Sequence, residues 1–214
     1  MRLRRLLVEG PGSVGERLRR RRWDLMLAAF PGLDGFRVLD LGGTAGFWAR
    51  APHRPASVTV VNLVHDLPGP APGPLPVRCV TADACTFRTA EPFDLVVSNS
   101  LLEHVGGYAR RRQLAAAVLA AAPRHWVQTP YRYFPLEPHW LFPGMQFLPV
   151  AARAVVARRW PLAHSAPPDH RAAVEEVLST ELVGRTELAH LLPGSRVVVE
   201  RVLGLPKSLI AVAG

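Results

Sequence analysis

The residues that could do chemistry in this chain lie in three places. The first, Val38–Trp48, reads VLDLGGTAGFW: an apolar run holds Asp40, and Gly42, Gly43, Thr44, Ala45 and Gly46 then lead into a helix. Glycines in such a turn permit positive φ and let the backbone come close to a ligand. In open α/β sheets, ligands sit beyond the carboxyl ends of the strands. A dinucleotide loop needs G-x-G-x-x-G, but counted from Gly42 the later positions are Thr44 and Phe47, so that match fails. The second place is Glu103-His104, just after the apolar run LVVS. An imidazole with an ordinary pKa of about 6.5 can take a proton near neutrality; the same pair could instead order its loop or cap the next helix. The third is Glu137 and His139, spaced i and i+2 in a proline-bracketed segment. If extended, they point to one side, where they could hold a polar substrate group, share a proton, or tie the segment to arginines. Tyr131, Tyr133, Phe134, Trp140, Phe142 and Phe147 stand around them and could line a mostly apolar cavity or form local core. Trp48 could wall a ligand or belong to the core.

The elements that must position these groups follow from periodicity. Glu16–Phe30 places Leu18, Trp23, Leu25, Met26, Ala29 and Phe30 on one helical stripe against a strongly basic face, and Pro31-Gly32 stops it. Short β-branched runs follow at Arg37–Leu41, Ser57–Leu63, Pro76–Val80, Asp94–Asn99 and Arg124–Gln128, with a clear helix over Tyr108–Ala122. Apolar runs such as VTVV suit strands buried on both faces of a parallel sheet. Arg196–Val202 and Ser208–Val212 are joined by only Leu203–Lys207, too short for a crossover, so they form an antiparallel hairpin. One domain is expected over residues 1–214, with an N-terminal helical cap over 1–36. The segment 129–195 is far longer than an ordinary α/β connection and is expected to be an insertion forming a lid over a substrate.

The 214 residues suffice for one core. No apolar run approaches the ~20 residues of a membrane span, and MRLRRLLVEGPG is too weakly apolar for a signal peptide, so a cytoplasmic protein without membrane contact is expected. Cys79 and Cys85 lack companions at metal-ligand spacing and read as two free, buried thiols; no metal site is expected. The net charge of +9 invites a nucleic-acid partner. However, Lys207 is the only lysine and the arginines are scattered apart from Arg19–Arg22 and Arg110–Arg112, which argues against it.

The glycine loop resembles motif I of the class I S-adenosylmethionine-dependent methyltransferases, D/E-x-G-x-G-x-G, through Asp40, Gly42 and Gly46, with Thr44 departing at the middle glycine. Asn62 stands where the family carries an acid that holds the ribose hydroxyls; an amide oxygen still accepts, more weakly. TADACTF, Thr81–Phe87, resembles the loop beside the adenine, implying that Asp83 contacts its amino group and that Ala84 or Cys85 packs near the ring. FDLVVSNSLLEHVG, Phe93–Gly106, resembles motif IV of small-molecule enzymes, implying that Ser98 and Asn99 face the methionine moiety. The N/D-P-P-Y/F motif of enzymes that methylate bases is missing. WVQTPYRYFPLEPHWLFPGMQFLP, Trp126 to Pro149, and ERVLGLPKSLIAV, Glu200 to Val212, are similar to one subset of the type-11 group, so the resemblance spans nearly the whole chain.

The resemblance implies a three-layer Rossmann-like α/β fold whose seven-stranded sheet is parallel apart from its last strand. It implies S-adenosylmethionine as cofactor, held by Asp40, Gly42, Gly43, Thr44, Gly46, Asn62, Asp83, Ala84, Ser98 and Asn99. In-line methyl transfer to a small organic acceptor, O- or N-methylation before C-methylation, follows; the resemblance names no acceptor, and an apolar, aromatic-lined pocket would fit a secondary metabolite. His104 is the expected base; Tyr131, Glu137, His139 and Trp140 are the expected acceptor contacts. Two other readings stay open: a nucleic-acid methyltransferase, which salt-sensitive binding would reveal, and a non-catalytic cofactor-binding partner protein, in which Thr44 and Asn62 mark a decayed site.

Overall fold

A computed structural model describes residues 13–63, 75–163 and 165–214; the sequence readings that touch residues 1–12 and 64–74 lie outside them. Helix α1 spans Val14–Ala29, with the Ser13 side chain accepting from the Glu16 N–H as its cap. There follow β1 (Arg37–Leu41), α2 (Ala45–Ala49), β2 (Ser57–Asn62), β3 (Val77–Thr81), β4 (Leu95–Asn99), α3 (Tyr108–Ala121) and β5 (His125–Pro130). The first five expected strands are all present, with ends that differ by at most two residues.

The seven-stranded sheet has the order β3-β2-β1-β4-β5-β9-β8. Strands β1 to β5 pair in parallel, while β9 (Leu205–Ala213) runs antiparallel to both β5 and β8 (Arg196–Val202). The hairpin turn is tighter than the sequence suggested. The last strand begins at Leu205 rather than Ser208, because Leu203 (φ 50) and Gly204 (φ 79) alone make the turn. Two residues at positive φ suit the right-handed twist of the flanking strands.

Alternate side chains of each strand face opposite layers, as a period of two requires. Leu39, Leu41, Val96, Val127 and Leu209 pack with α3 and with α6 (Arg185–Leu191). Val38, Val58, Val60, Leu95 and Ile210 pack with α1 and Trp48. The sheet is thus covered on both faces, and its carboxyl edge is where the loops converge. Cys85 is buried in the first core, but Cys79 is exposed on β3, the edge strand, correcting the expectation of two buried thiols.

Residues 131–184 leave the sheet and return to it. They carry the two-residue strands β6 (Leu136–Glu137) and β7 (Phe142–Pro143), then α4 (Val150–Arg159) and α5 (His170–Leu178), with a small core of Trp140, Met145, Ala157 and Val177. Tyr131 bridges Val183, and the Glu181 N–H donates to the Glu103 carbonyl at 2.8 Å, so this segment is stitched to the loop after β4. Arg111 on α3 reinforces the attachment through Glu181 and Glu187, each at 2.7 Å. Among the described residues no helix is long and apolar enough to cross a membrane.

Candidate active site

The glycine loop is built around a buried carboxyl. Asp40 is 1% exposed, accepts from Trp48 Nε1 at 2.7 Å, and leaves Oδ1 without a hydrogen-bond partner. Burial pushes its pKa up to about 7, against the smaller opposing effect of the Trp48 bond. A Cβ at Gly43 would overlap this carboxylate, and one on Gly42, itself at φ +81, would come within 2.7 Å of the Leu101 side chain. Both positions therefore demand glycine. Thr44, the departure from the motif, has a local reason: its hydroxyl accepts from the Phe47 N–H at 3.2 Å and caps α2. Gly46 is buried inside that helix.

The neighbouring strand ends complete the edge. Asn62, at the end of β2, donates to the carbonyls of Gly42 (3.2 Å) and Gly43 (3.0 Å), so its nitrogen fixes the glycine loop. Asp83 accepts from Arg110 at 2.5 Å and from the Cys85 N–H at 2.9 Å. The Arg110 bond holds its carboxyl below the usual range. Ala84 is buried beside it. Ser98 donates to the Leu41 carbonyl at 3.1 Å, and Asn99 Oδ1 accepts from Trp126 Nε1 at 3.3 Å. The expected cofactor residues thus lie along the carboxyl ends of β1, β2, β3 and β4. They fit a nucleoside-bearing sulfonium: a positive-φ glycine for close approach and an orphaned buried acceptor on Asp40.

After β4 the chain reverses at Ser100, a non-glycine residue at φ 53. Such a conformation persists only where the surroundings fix it; here the Ser100 N–H donates to the Gln128 carbonyl at 2.9 Å and its hydroxyl to Gln128 Oε1 at 3.1 Å. The reversal sets Leu101 on Gly42 and brings Glu103 and His104 beside the 131–184 segment. There His104 meets His139, their Nε2 atoms 3.1 Å apart and their rings edge to face. His139 Nδ1 lies 2.6 Å from Glu137 Oε1, and Thr180 Oγ1 lies 3.4 Å from His104 Nδ1. Glu103 is 1% exposed; it accepts from Thr129 Oγ1 at 2.9 Å while Oε1 has no hydrogen-bond partner. Desolvation pushes its pKa up to about 7.

Two constellations more than thirty residues apart in sequence are therefore one site. Their local geometry differs from expectation: the chain turns after Glu137 instead of continuing extended, and the Glu137 carboxylate takes the His139 and Trp140 N–H groups at 2.8 and 2.9 Å. Glu137 pairs with His139 rather than with an arginine. His104 does not cap α3 either, since Gly107 holds that position without a side-chain bond.

A cavity of about 360 Å³ lies behind the histidines' outer partners Glu137 and Thr180, which line it with Trp140, Arg153 and Gln146. It is more polar than the aromatic-lined pocket expected. Of the six aromatics, Trp140 lines it, while Tyr133 and Phe147 are more than half exposed and stack on each other. Tyr131 is half buried against the main core. Trp48 is fully buried and serves the loop by holding Asp40. Sequence reasoning did not single out Thr129, Thr180, Arg110 or Arg153. Only Arg110 gave a signal, as part of a basic run.

No family model matches the chain, and no curated protein matches it. Solved structures do. The N-methyltransferase NodS from Bradyrhizobium japonicum with S-adenosylhomocysteine is 16% identical over 92% of this chain and 86% of its own, with a TM-score of 0.51. The 1,6-didemethyltoxoflavin-N1-methyltransferase of Burkholderia thailandensis gives 17%, 92%, 78% and 0.52. Magnesium protoporphyrin IX methyltransferase from Synechocystis with bound S-adenosylmethionine gives 14%, 100%, 90% and 0.55. At these identities the likeness is one of fold.

Proposed function

We propose that this chain, which has the fold of the class I S-adenosylmethionine-dependent methyltransferases, is itself such an enzyme and methylates a small organic molecule in the cytoplasm. The observation that carries the reading is the convergence, at one sheet edge, of the glycine loop over Asp40 with the His104–His139 pair. When bound, S-adenosylmethionine supplies a methyl group on a sulfonium that is already a good leaving group. What remains for the protein is alignment, exclusion of water and removal of a proton. Gly42 and Gly43 let the loop backbone approach the cofactor, Asn62 fixes their carbonyls, and Asp40 offers the buried acceptor oxygen. Leu101 and the 131–184 segment, our proposed lid, close over the acceptor. The acceptor's O–H or N–H loses its proton at His104, whose partner His139 is oriented by Glu137.

The polar cavity favours an acceptor with several hydrogen-bonding groups, as secondary metabolites commonly carry. The neighbours act on varied molecules: the names of the Burkholderia and Synechocystis proteins specify didemethyltoxoflavin and magnesium protoporphyrin IX. The reading is tested by incubating the protein with S-adenosylmethionine and a panel of hydroxylated and amino heterocycles, following S-adenosylhomocysteine release. Acceptor-dependent release, reduced about 100-fold or more in His104→Gln, supports it. Release with no acceptor of any class, nucleic acids included, contradicts it.

A further inference from the structure

The same cluster has a second property that methyl transfer does not require. One ligand atom each from Glu103, His104 and His139 lies within 4.8 Å of the other two. The two imidazole Nε2 atoms, at 3.1 Å, are about as far apart as two nitrogens bound at ~2.0–2.1 Å to one tetrahedral ion. Each ring also has an outer partner on its other nitrogen: Glu137 on His139 and Thr180 on His104. Carboxylate–histidine pairing of this kind fixes the tautomer and orientation of metal-bound imidazoles. The third group is independent evidence. Glu103 is buried, its Oε2 is held by Thr129, and its Oε1 is left without a hydrogen-bond partner. Such an orphan is costly unless something compensates it.

We infer that Glu103, His104 and His139 form a binding site for a divalent cation of the Zn²⁺ class, with Glu137, Thr129 and Thr180 as its outer shell. Imidazole nitrogens select Zn²⁺ or its neighbours over Mg²⁺ and Ca²⁺, which prefer all-oxygen sets. Three protein ligands leave a coordination position open, the pattern of a working rather than a structural site. His104 is exposed, so an ion held there is reachable from solvent, and an acceptor oxygen bound to it would lose its proton more easily. With the ion bound, His104 is a ligand and no longer the base, so the ion takes over the lowering of the acceptor's proton affinity. Metal binding itself is measured without cofactor or acceptor, so its failure and that of the methyl-transfer reading are distinguishable.

The test is titration of the metal-stripped full chain with Zn²⁺ by calorimetry, and with Co²⁺ by visible absorption, for wild type, Glu103→Gln, His139→Gln and Glu137→Gln. The inference expects stoichiometric Zn²⁺ binding and a tetrahedral or five-coordinate Co²⁺ spectrum in the wild type. It expects loss of both in Glu103→Gln and His139→Gln, and 10- to 100-fold weaker binding in Glu137→Gln. Circular dichroism and melting profiles keep a misfolded variant from counting as a loss, and Glu103→Gln preserves volume. No stoichiometric binding by wild type, or binding that survives both ligand substitutions, overturns it. Tight Mg²⁺ binding with no Zn²⁺ preference overturns the class of ion.

Discussion

Asp40 carries the sharpest consequence at the scale of single residues. Its carboxyl, pushed from 3.8 to about 7 by burial, binds a proton more tightly in the folded than in the unfolded chain. Between those values the native state holds more protons, so its contribution to stability falls as pH rises through the window and levels off above about 7. A shift of this size corresponds to roughly 4 kcal/mol. Asp40→Asn, which can still accept from Trp48, should remove that share: near wild-type stability at pH 4 and a higher melting temperature at pH 8. Equal pH slopes for the two proteins would place Asp40 in a more solvated setting. Gly43 was legible as one of a cluster of loop glycines, but that a side chain there is excluded was not. The sequence suggests close approach to a ligand, whereas the first obstacle to a side chain there is Asp40 itself. His104 and His139 were each visible as candidates, yet their meeting was not, because it depends on the Ser100 reversal and the turn after Glu137.

Elements carry the next set of effects. Helix α1 is held to the sheet by Trp23, whose ring stacks on Phe47 at 4.8 Å and meets Trp48 edge to face at 5.6 Å. Arg22 adds a bond of 2.9 Å to the buried Glu200 of β8. Trp23→Ala should cost about 3 kcal/mol in denaturant unfolding. It should also weaken cofactor binding, since Phe47 and Trp48 belong to the helix that follows the glycine loop. The hairpin offers the opposite sign. Leu203 sits at φ 50 and is 97% exposed, so Leu203→Asn loses no packing and gains a residue suited to the left-handed region. A gain of about 0.5–1 kcal/mol is expected, and a loss would show that the turn is not the one described. Strand positions were readable from β-branched runs, and the hairpin from its short connection. Its true turn was hidden because Leu205, Pro206 and Lys207 have no strand pattern of their own. They are recruited by pairing, Leu205 with Val202 and Pro206 with Arg201.

The whole molecule is a covered sheet with a segment clasped over one edge. Arg111 is the main clasp: 4% exposed as a side chain, it joins α3 to Glu181 and Glu187. Arg111→Ala would leave the region around Glu181 loosely held, and Glu181 carries the bond to the Glu103 carbonyl. Proteolysis should then cut within 131–184 sooner than in wild type while the sheet domain persists; unchanged cleavage would mean that the segment stands on its own core. The order of layers was accessible from alternating patterns over most of the chain, because burial on both faces leaves a strong hydrophobic signal. The interior of 131–184 was not, because its strands are two residues long and its helices are short and placed by packing on each other and on the small core of Trp140, Met145, Ala157 and Val177. The central claim, that the glycine loop over Asp40 binds S-adenosylmethionine, is tested most directly by calorimetric titration with S-adenosylhomocysteine. Wild type is compared with Gly42→Arg, the folding of each being checked by melting. Stoichiometric binding by wild type and none by a folded Gly42→Arg is the predicted result. No binding by wild type, or undiminished binding by the variant, would contradict it.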